Sequence, residues 1–160
     1  MKKLFFLLAF ALSVASNVFA EEVQIDGLWY NLSGTTAKVI KYKNNVKYSG
    51  DIVIPNTVSY DNTDYNVTSI GDGAFRDCSG LTSIKIGNSV TSIGKYAFYG
   101  CSGLESITIG NSVTSTGFMA FSGCNNIQFV ELHCQEIKGW FSGISKVEKL
   151  IIGDEAISIT

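Results

Sequence analysis

Five apolar positions recur at an interval of 23 residues, and that interval limits what the chain can become. Phe75, Phe98 and Phe121 keep it, as do Cys78, Cys101 and Cys124. Leu81, Leu104 and Ile127 share the phase, and so do Ile84, Ile107 and Val130, and Ile86, Ile109 and Leu132. Five registers in step exclude coincidence, and a period of about 20–50 residues signals a solenoid or array. One unit buries too few apolar groups to offset the entropy of ordering its own residues. Stacking resolves this, because each coil then buries both faces and pairs its strands with its neighbours.

The units begin at Val67, Val90 and Val113, reading VTSIGDGAFRDCSGLTSIKIGNS, VTSIGKYAFYGCSGLESITIGNS and VTSTGFMAFSGCNNIQFVEL. In the second, Leu104, Ile107 and Ile109 follow an L-x-x-I-x-I spacing, which predicts a short strand with alternate residues inward. Gly110 to Ser112 then turn the chain, and Val113 opens a second small strand, as Val90 and Val67 do with Ile93 and Ile70. The Thr and Ser of each VTS read as strand formers with solvated hydroxyls. Ala97, Phe98 and Cys101 lie at helical spacing, so about one helical or 3₁₀ turn is expected there. Each unit should run strand, turn, small strand, short helix and return.

The flanks read as worn copies. IVIPNTV (Ile52 to Val58) aligns with IKIGNSV (Ile84 to Val90), and SYDNTDYN after it suggests a small hairpin. At the far end Phe141, Val147, Leu150, Ile152, Ala156 and Ile159 match Phe75, Leu81, Ile84, Ile86, Val90 and Ile93. The repeats therefore span 51–160, with regular units at 67–89, 90–112 and 113–132 and degenerate copies at 51–66 and 133–160. Within residues 21–50, GLWYNLSGTTAKVIKY predicts two strands around SGTT, a hairpin able to cap the first coil. The last coil carries no such cap, so a bare end, a longer protein and cover by another chain all stay open.

Residues 1–20 read as a cleavable signal peptide. Lys2 and Lys3 precede an apolar run from Leu4 to Val14, and Val18 and Ala20 take the −3 and −1 positions. The run is shorter than a membrane span and Ser13, Ser16 and Asn17 interrupt it. No transmembrane segment is expected after cleavage, and a secreted or cell-surface location follows. Removing Lys2 and Lys3 leaves ten basic against fourteen acidic residues. Without a basic cluster the chain lacks what a nucleic-acid partner requires. Sixteen Gly and a single Pro, among many Ile, Val, Ser and Thr, favour short strands joined by tight turns.

The unit VTSIGKYAFYGCSGLESITIGNS resembles the BspA-type leucine-rich repeat of bacterial surface and secreted proteins. The A-F-x-x-C spacing, written three times, carries the likeness, which covers Asp51 to Thr160. The resemblance implies a leucine-rich-repeat solenoid, a strand-dominated repeat α/β fold with short helical turns and an N-terminal β-hairpin cap. It also implies adhesion to host matrix proteins, coaggregation or immune recognition. Thr116 departs from the pattern where Ile93 stands, and no anchoring domain is expected after the repeats.

Few residues invite chemistry. Cys78, Cys101 and Cys124 would lie about 4.8 Å apart in stacked coils, within disulfide range. Three equivalent positions cannot pair evenly, and parallel thiols do not make a zinc tetrahedron, so a buried thiol ladder is expected. His133 and Cys134 are adjacent on a strand and point to opposite faces, which disfavours a nucleophile–base pair. A solvent-facing His133 and a half-buried Cys134 are expected. No catalytic residue, metal site or cofactor is read. Binding is assigned to the outward strand face, as a column of Ser83, Ser106, Phe129 and Lys149 beside one of Lys85, Thr108, Glu131 and Ile151. Phe129 and Ile151 either mark a contact surface or are buried by a register shift in the irregular last coil. The expected partner is an extracellular protein or glycan, host matrix among them, with self-association through the C-terminal edge as the alternative.

Overall fold

The computed structural model describes residues 20–43, 45–134 and 148–153. Residues 1–19 of the expected signal peptide, and Phe141, Val147, Ala156 and Ile159 of the last copy, lie outside the described residues. Three strands open the chain: β1 (Glu21–Ile25), β2 (Leu28–Ser33) and β3 (Thr36–Val39), paired antiparallel in that order. Asp26 and Gly27 join the first pair with φ of 48° and 85°, the left-handed pair a type I′ hairpin turn needs. The strands expected on either side of SGTT are β2 and β3; β1 is an addition to that reading. β4 (Gly50–Ile54) follows, then β5 (Thr57–Tyr60) and β6 (Thr63–Ile70) as an antiparallel hairpin through left-handed Asp61 and Asn62.

From here the 23-residue rhythm governs. β7 (Leu81–Ile86), β9 (Ser106–Ile109) and β11 (Phe129–Leu132) alternate with the two-residue strands β8 (Ser92–Ile93) and β10 (Ser115–Thr116), and β12 (Lys149–Ile152) comes last. The longer strands make an all-parallel sheet ordered β4-β7-β9-β11-β12. The shorter ones continue from β6 into a second sheet, which reaches β1–β3 through the parallel pair β3–β6. In the first sheet Ile84 lies opposite Ile107 and Ile107 opposite Val130, so residues one repeat apart are direct neighbours.

That register builds the core. The rings of Phe75 and Phe98 stack with centroids 4.9 Å apart and planes 8° apart; Phe98 and Phe121 repeat this at 5.0 Å and 2°. The separation is the strand spacing itself. All three rings are buried, and Tyr48 packs on the open face of Phe75 at 4.9 Å. No charged or polar residue is buried among the described residues.

The short helix expected in each unit does not form; the described residues contain no helix. Residues 72–77, 95–100 and 118–123 are successive turns. Alternate amides here serve different coils. Those of Ala74, Arg76 and Cys78 close four-residue turns onto Gly71, Gly73 and Phe75. The amides of Gly73, Phe75 and Asp77 instead donate to the carbonyls of Lys95, Ala97 and Tyr99 one coil on. Tyr96, Phe98 and Gly100 do the same toward Phe118, Ala120 and Ser122. An α-helix would spend those donors internally; here they tie coils together. Left-handed backbone at Gly73, Tyr96 and Met119, and again at Asp77, Gly100 and Gly123, also interrupts any helical run.

Side chains add to this inter-coil bonding. The hydroxyls of Thr91 and Thr114 donate to the carbonyls of Thr68 and Thr91, at 3.1 and 3.3 Å, so they are not merely solvated. The side-chain carbonyls of Asn56 and Asn88 accept from the amides of Ser89 and Asn111 at 3.2 Å. Each turn is thus held by its neighbour.

Candidate functional site

Alternation along a strand puts Ile84 and Ile86 inward and Ser83 and Lys85 outward. Pairing then sets Ser83 opposite Ser106, Ser106 opposite Phe129 and Phe129 opposite Lys149. Lys85, Thr108, Glu131 and Ile151 make the neighbouring column by the same pairs. The structure therefore brings all eight sequence-predicted residues onto one face. No register shift buries the two apolar members: Phe129 is 45% exposed and Ile151 41%. Around them the strands form a shallow depression of about 120 Å³ that includes Ser106, Thr108, Glu131 and Lys149.

Three further residues belong to this face. Asp51 and Val53 of β4 lie opposite Ser83 and Lys85, and Val53 is fully outward. Asp51 accepts the hydroxyls of Ser83 and Thr82, both at 2.7 Å, and these bonds hold its carboxyl below the usual carboxylate range. The signal for both was present, since the alignment of IVIP with IKIG already sets Val53 against Lys85. His133, two residues beyond Glu131, is the third: its Nε2 lies 3.1 Å from Glu131 Oε1, and Thr108 donates to the other carboxylate oxygen at 3.3 Å. A groove of about 590 Å³ runs beside them, lined by Lys85, Glu131 and His133 with Asn56, Asn88 and Asn111.

A serine hydroxyl, a carboxylate and an imidazole share this face without all three meeting. Ser83 and Asp51 sit on β7 and β4, whereas His133 follows β11, two strands and four residues from Ser83's position. Strand spacing alone puts them about 10 Å apart, beyond the hydrogen-bond reach that an activated serine needs. Among the described residues no three His, Cys, Asp or Glu side chains converge as metal ligands would. What the face offers is polar and charged side chains around Phe129 and Ile151, with Val53 outward on β4.

The cysteines lie elsewhere. Cys78, Cys101 and Cys124 are fully buried thiols in one inward column. Cys101 donates to the Phe75 carbonyl at 3.0 Å and Cys124 to that of Phe98 at 3.1 Å. Hydrogen bonding with Cys124, then burial, drives the Cys101 thiol well above its ordinary value, and burial raises Cys78. Such thiols stay protonated and act as small apolar groups. Cys134 was expected to be half-buried; it is wholly buried, because it falls on the inward side of the bend after β11.

Parallel strands paired one repeat apart, over a stacked phenylalanine column, define a leucine-rich-repeat protein. The model of the BspA type leucine rich repeat region matches residues 54–160 in six copies, and the chain belongs to that family. No curated protein matches the sequence. Among solved structures, a leucine-rich repeat protein from Bacteroides capillosus is 23% identical with a TM-score of 0.69, covering 82% of this chain and 97% of its own. The leucine rich repeat protein of T. pallidum is 20% identical with a TM-score of 0.61, covering 82% and 64%. A leucine rich cell surface protein from Faecalibacterium prausnitzii is 22% identical with a TM-score of 0.57, covering 85% of this chain and 44% of that one. These likenesses concern the fold.

Proposed function

We propose that the chain is an exported, non-catalytic recognition protein that engages an extracellular protein or glycan through the outward face of β7, β9, β11 and β12. The exposed pair Phe129 and Ile151 carries this reading, because solvent gains nothing from two large apolar groups set among Lys85, Thr108, Glu131 and Lys149. Adhesion at the cell surface, or contact with a host protein, is the role that suits such a face. The signal-like start supports export, and β1 opens at Glu21, the first residue such cleavage would leave. The description of the Faecalibacterium prausnitzii neighbour as a cell surface protein accords with that location. In this reading the coils stack as a solenoid and β1–β3 cover its first turn.

The test is binding of residues 21–160 to arrays of matrix proteins and glycans, with Phe129→Ala and Lys85→Ala alongside. Binding near micromolar that weakens about tenfold in Phe129→Ala is expected. No ligand, or a ligand indifferent to both substitutions, would sink the reading. A second reading, assembly through the last strand, draws on Leu150, Ile151 and Ile152 of β12, which are 43%, 41% and 37% exposed. Light scattering at rising concentration separates the two, since a strict monomer excludes assembly.

A further inference from the structure

Another group of exposed large side chains sits on the turn segments, away from the strand face. Phe118 is 61% exposed and Met119 47%. The Tyr96 ring meets Phe118 edge-on at 5.8 Å and Tyr99 at 5.7 Å. Above the two tyrosines lies the Arg76 guanidinium, 5.7 Å from one ring centre and 5.3 Å from the other. Three consecutive coils thus contribute to one patch.

The backbone beneath makes this arrangement costly. Gly73, Tyr96 and Met119 occupy the same turn position in successive units, with φ of 59°, 56° and 54°. Glycine takes that conformation freely, whereas bulky side chains there are strained outliers. Strain of this kind is kept where the side chain is needed. The core does not need it, because the phenylalanine column already fills the interior.

We infer that Arg76, Tyr96, Tyr99, Phe118 and Met119 form a second docking surface, for a protein segment that presents an apolar side chain beside a carboxylate. Aromatic residues, Met and Arg are the types that concentrate at the centres of protein interfaces. Phe118 and Met119 offer the apolar contact. The guanidinium lies over the rings, and its Nε is held loosely by Asp77 at 3.6 Å, which leaves its terminal N–H donors for a second carboxylate.

A displayed library of random linear peptides panned on the full chain tests this. Enriched peptides should pair an apolar residue with Asp or Glu, and their affinity should fall at least about tenfold in Tyr96→Gly and in Phe118→Ser. Lys85→Ala on the strand face should leave it unchanged, which separates this surface from the one proposed above. Tyr96→Gly places at the turn the residue that Gly73 already uses, so it should keep a cooperative thermal transition while losing the peptide. Phe118→Ser is the check should that glycine loosen the turn. Failure to enrich any peptide, enriched peptides lacking an acid, or binding equal across the variants would each overturn the inference. So would retention of a glycan in place of a peptide.

Discussion

Ile54 on β4 and Ile152 on β12 stand at opposite margins of the same inward column, which runs through Ile86, Ile109 and Leu132. Ile54 is fully buried, whereas Ile152 is 37% exposed. Both side chains are isoleucine and both strands are parallel, so neither residue type nor pairing accounts for the difference. On the β4 side the core continues beyond the repeat into Tyr48, Leu28, Tyr30 and Leu32. Tyr48 links these parts: its hydroxyl accepts from the Trp29 amide at 2.9 Å and donates to the Ile40 carbonyl at 3.0 Å, while its ring packs on Phe75. A repeat buries its own centre by stacking. Its margin needs chain that is not repeat.

The comparison can be broken first at the centre. Phe98→Ala removes the ring between two stacked neighbours and should cost about 3–5 kcal/mol in denaturant unfolding. Gly117→Ala should cost about 1–3 kcal/mol, because a Cβ there would collide with the backbone nitrogen of Lys95 and push two coils apart. At the covered margin Tyr48→Phe leaves the Trp29 amide and Ile40 carbonyl without their shared partner, for a loss of about 1–3 kcal/mol. Burial also raises the Tyr48 phenol to about 12. A folded value above the ordinary one near 10 means that this stabilisation is complete below about pH 10 and disappears as pH climbs toward 12. Wild type should therefore unfold in alkali more steeply than Tyr48→Phe. At the exposed margin Ile152→Ala should cost under about 1 kcal/mol. If it costs as much as Ile54→Ala, the two margins are equivalent and the argument above is wrong.

Much of the fold was legible because spacing maps directly onto contact. Residues 23 apart became neighbours, so the phenylalanine column and both outward columns could be drawn before any coordinates. The turn segments were not legible in that way. Ala97, Phe98 and Cys101 sit at intervals that suit a helix, but they suit successive four-residue turns equally well, and nothing local reveals that alternate amides reach the next coil. Left-handed Tyr96 and Met119 escaped notice for a related reason. Glycine at 73 hints at the geometry, yet tyrosine and methionine rarely accept it. On the strand face Asp51, Val53 and His133 were missed, although the alignment of the first worn copy already implied the first two.

The ladder of amide bonds along the turns has a mechanical consequence. Each coil is fastened to its neighbours through both sheets and the turns, and to little else, so tension applied to the chain's ends should detach coils in sequence. Each detachment of a regular unit would release 23 residues, or about 75 Å of extended chain. A force trace would then show equal steps for the regular units at 67–89 and 90–112, with a larger resistance where the antiparallel strands around Tyr48 give way.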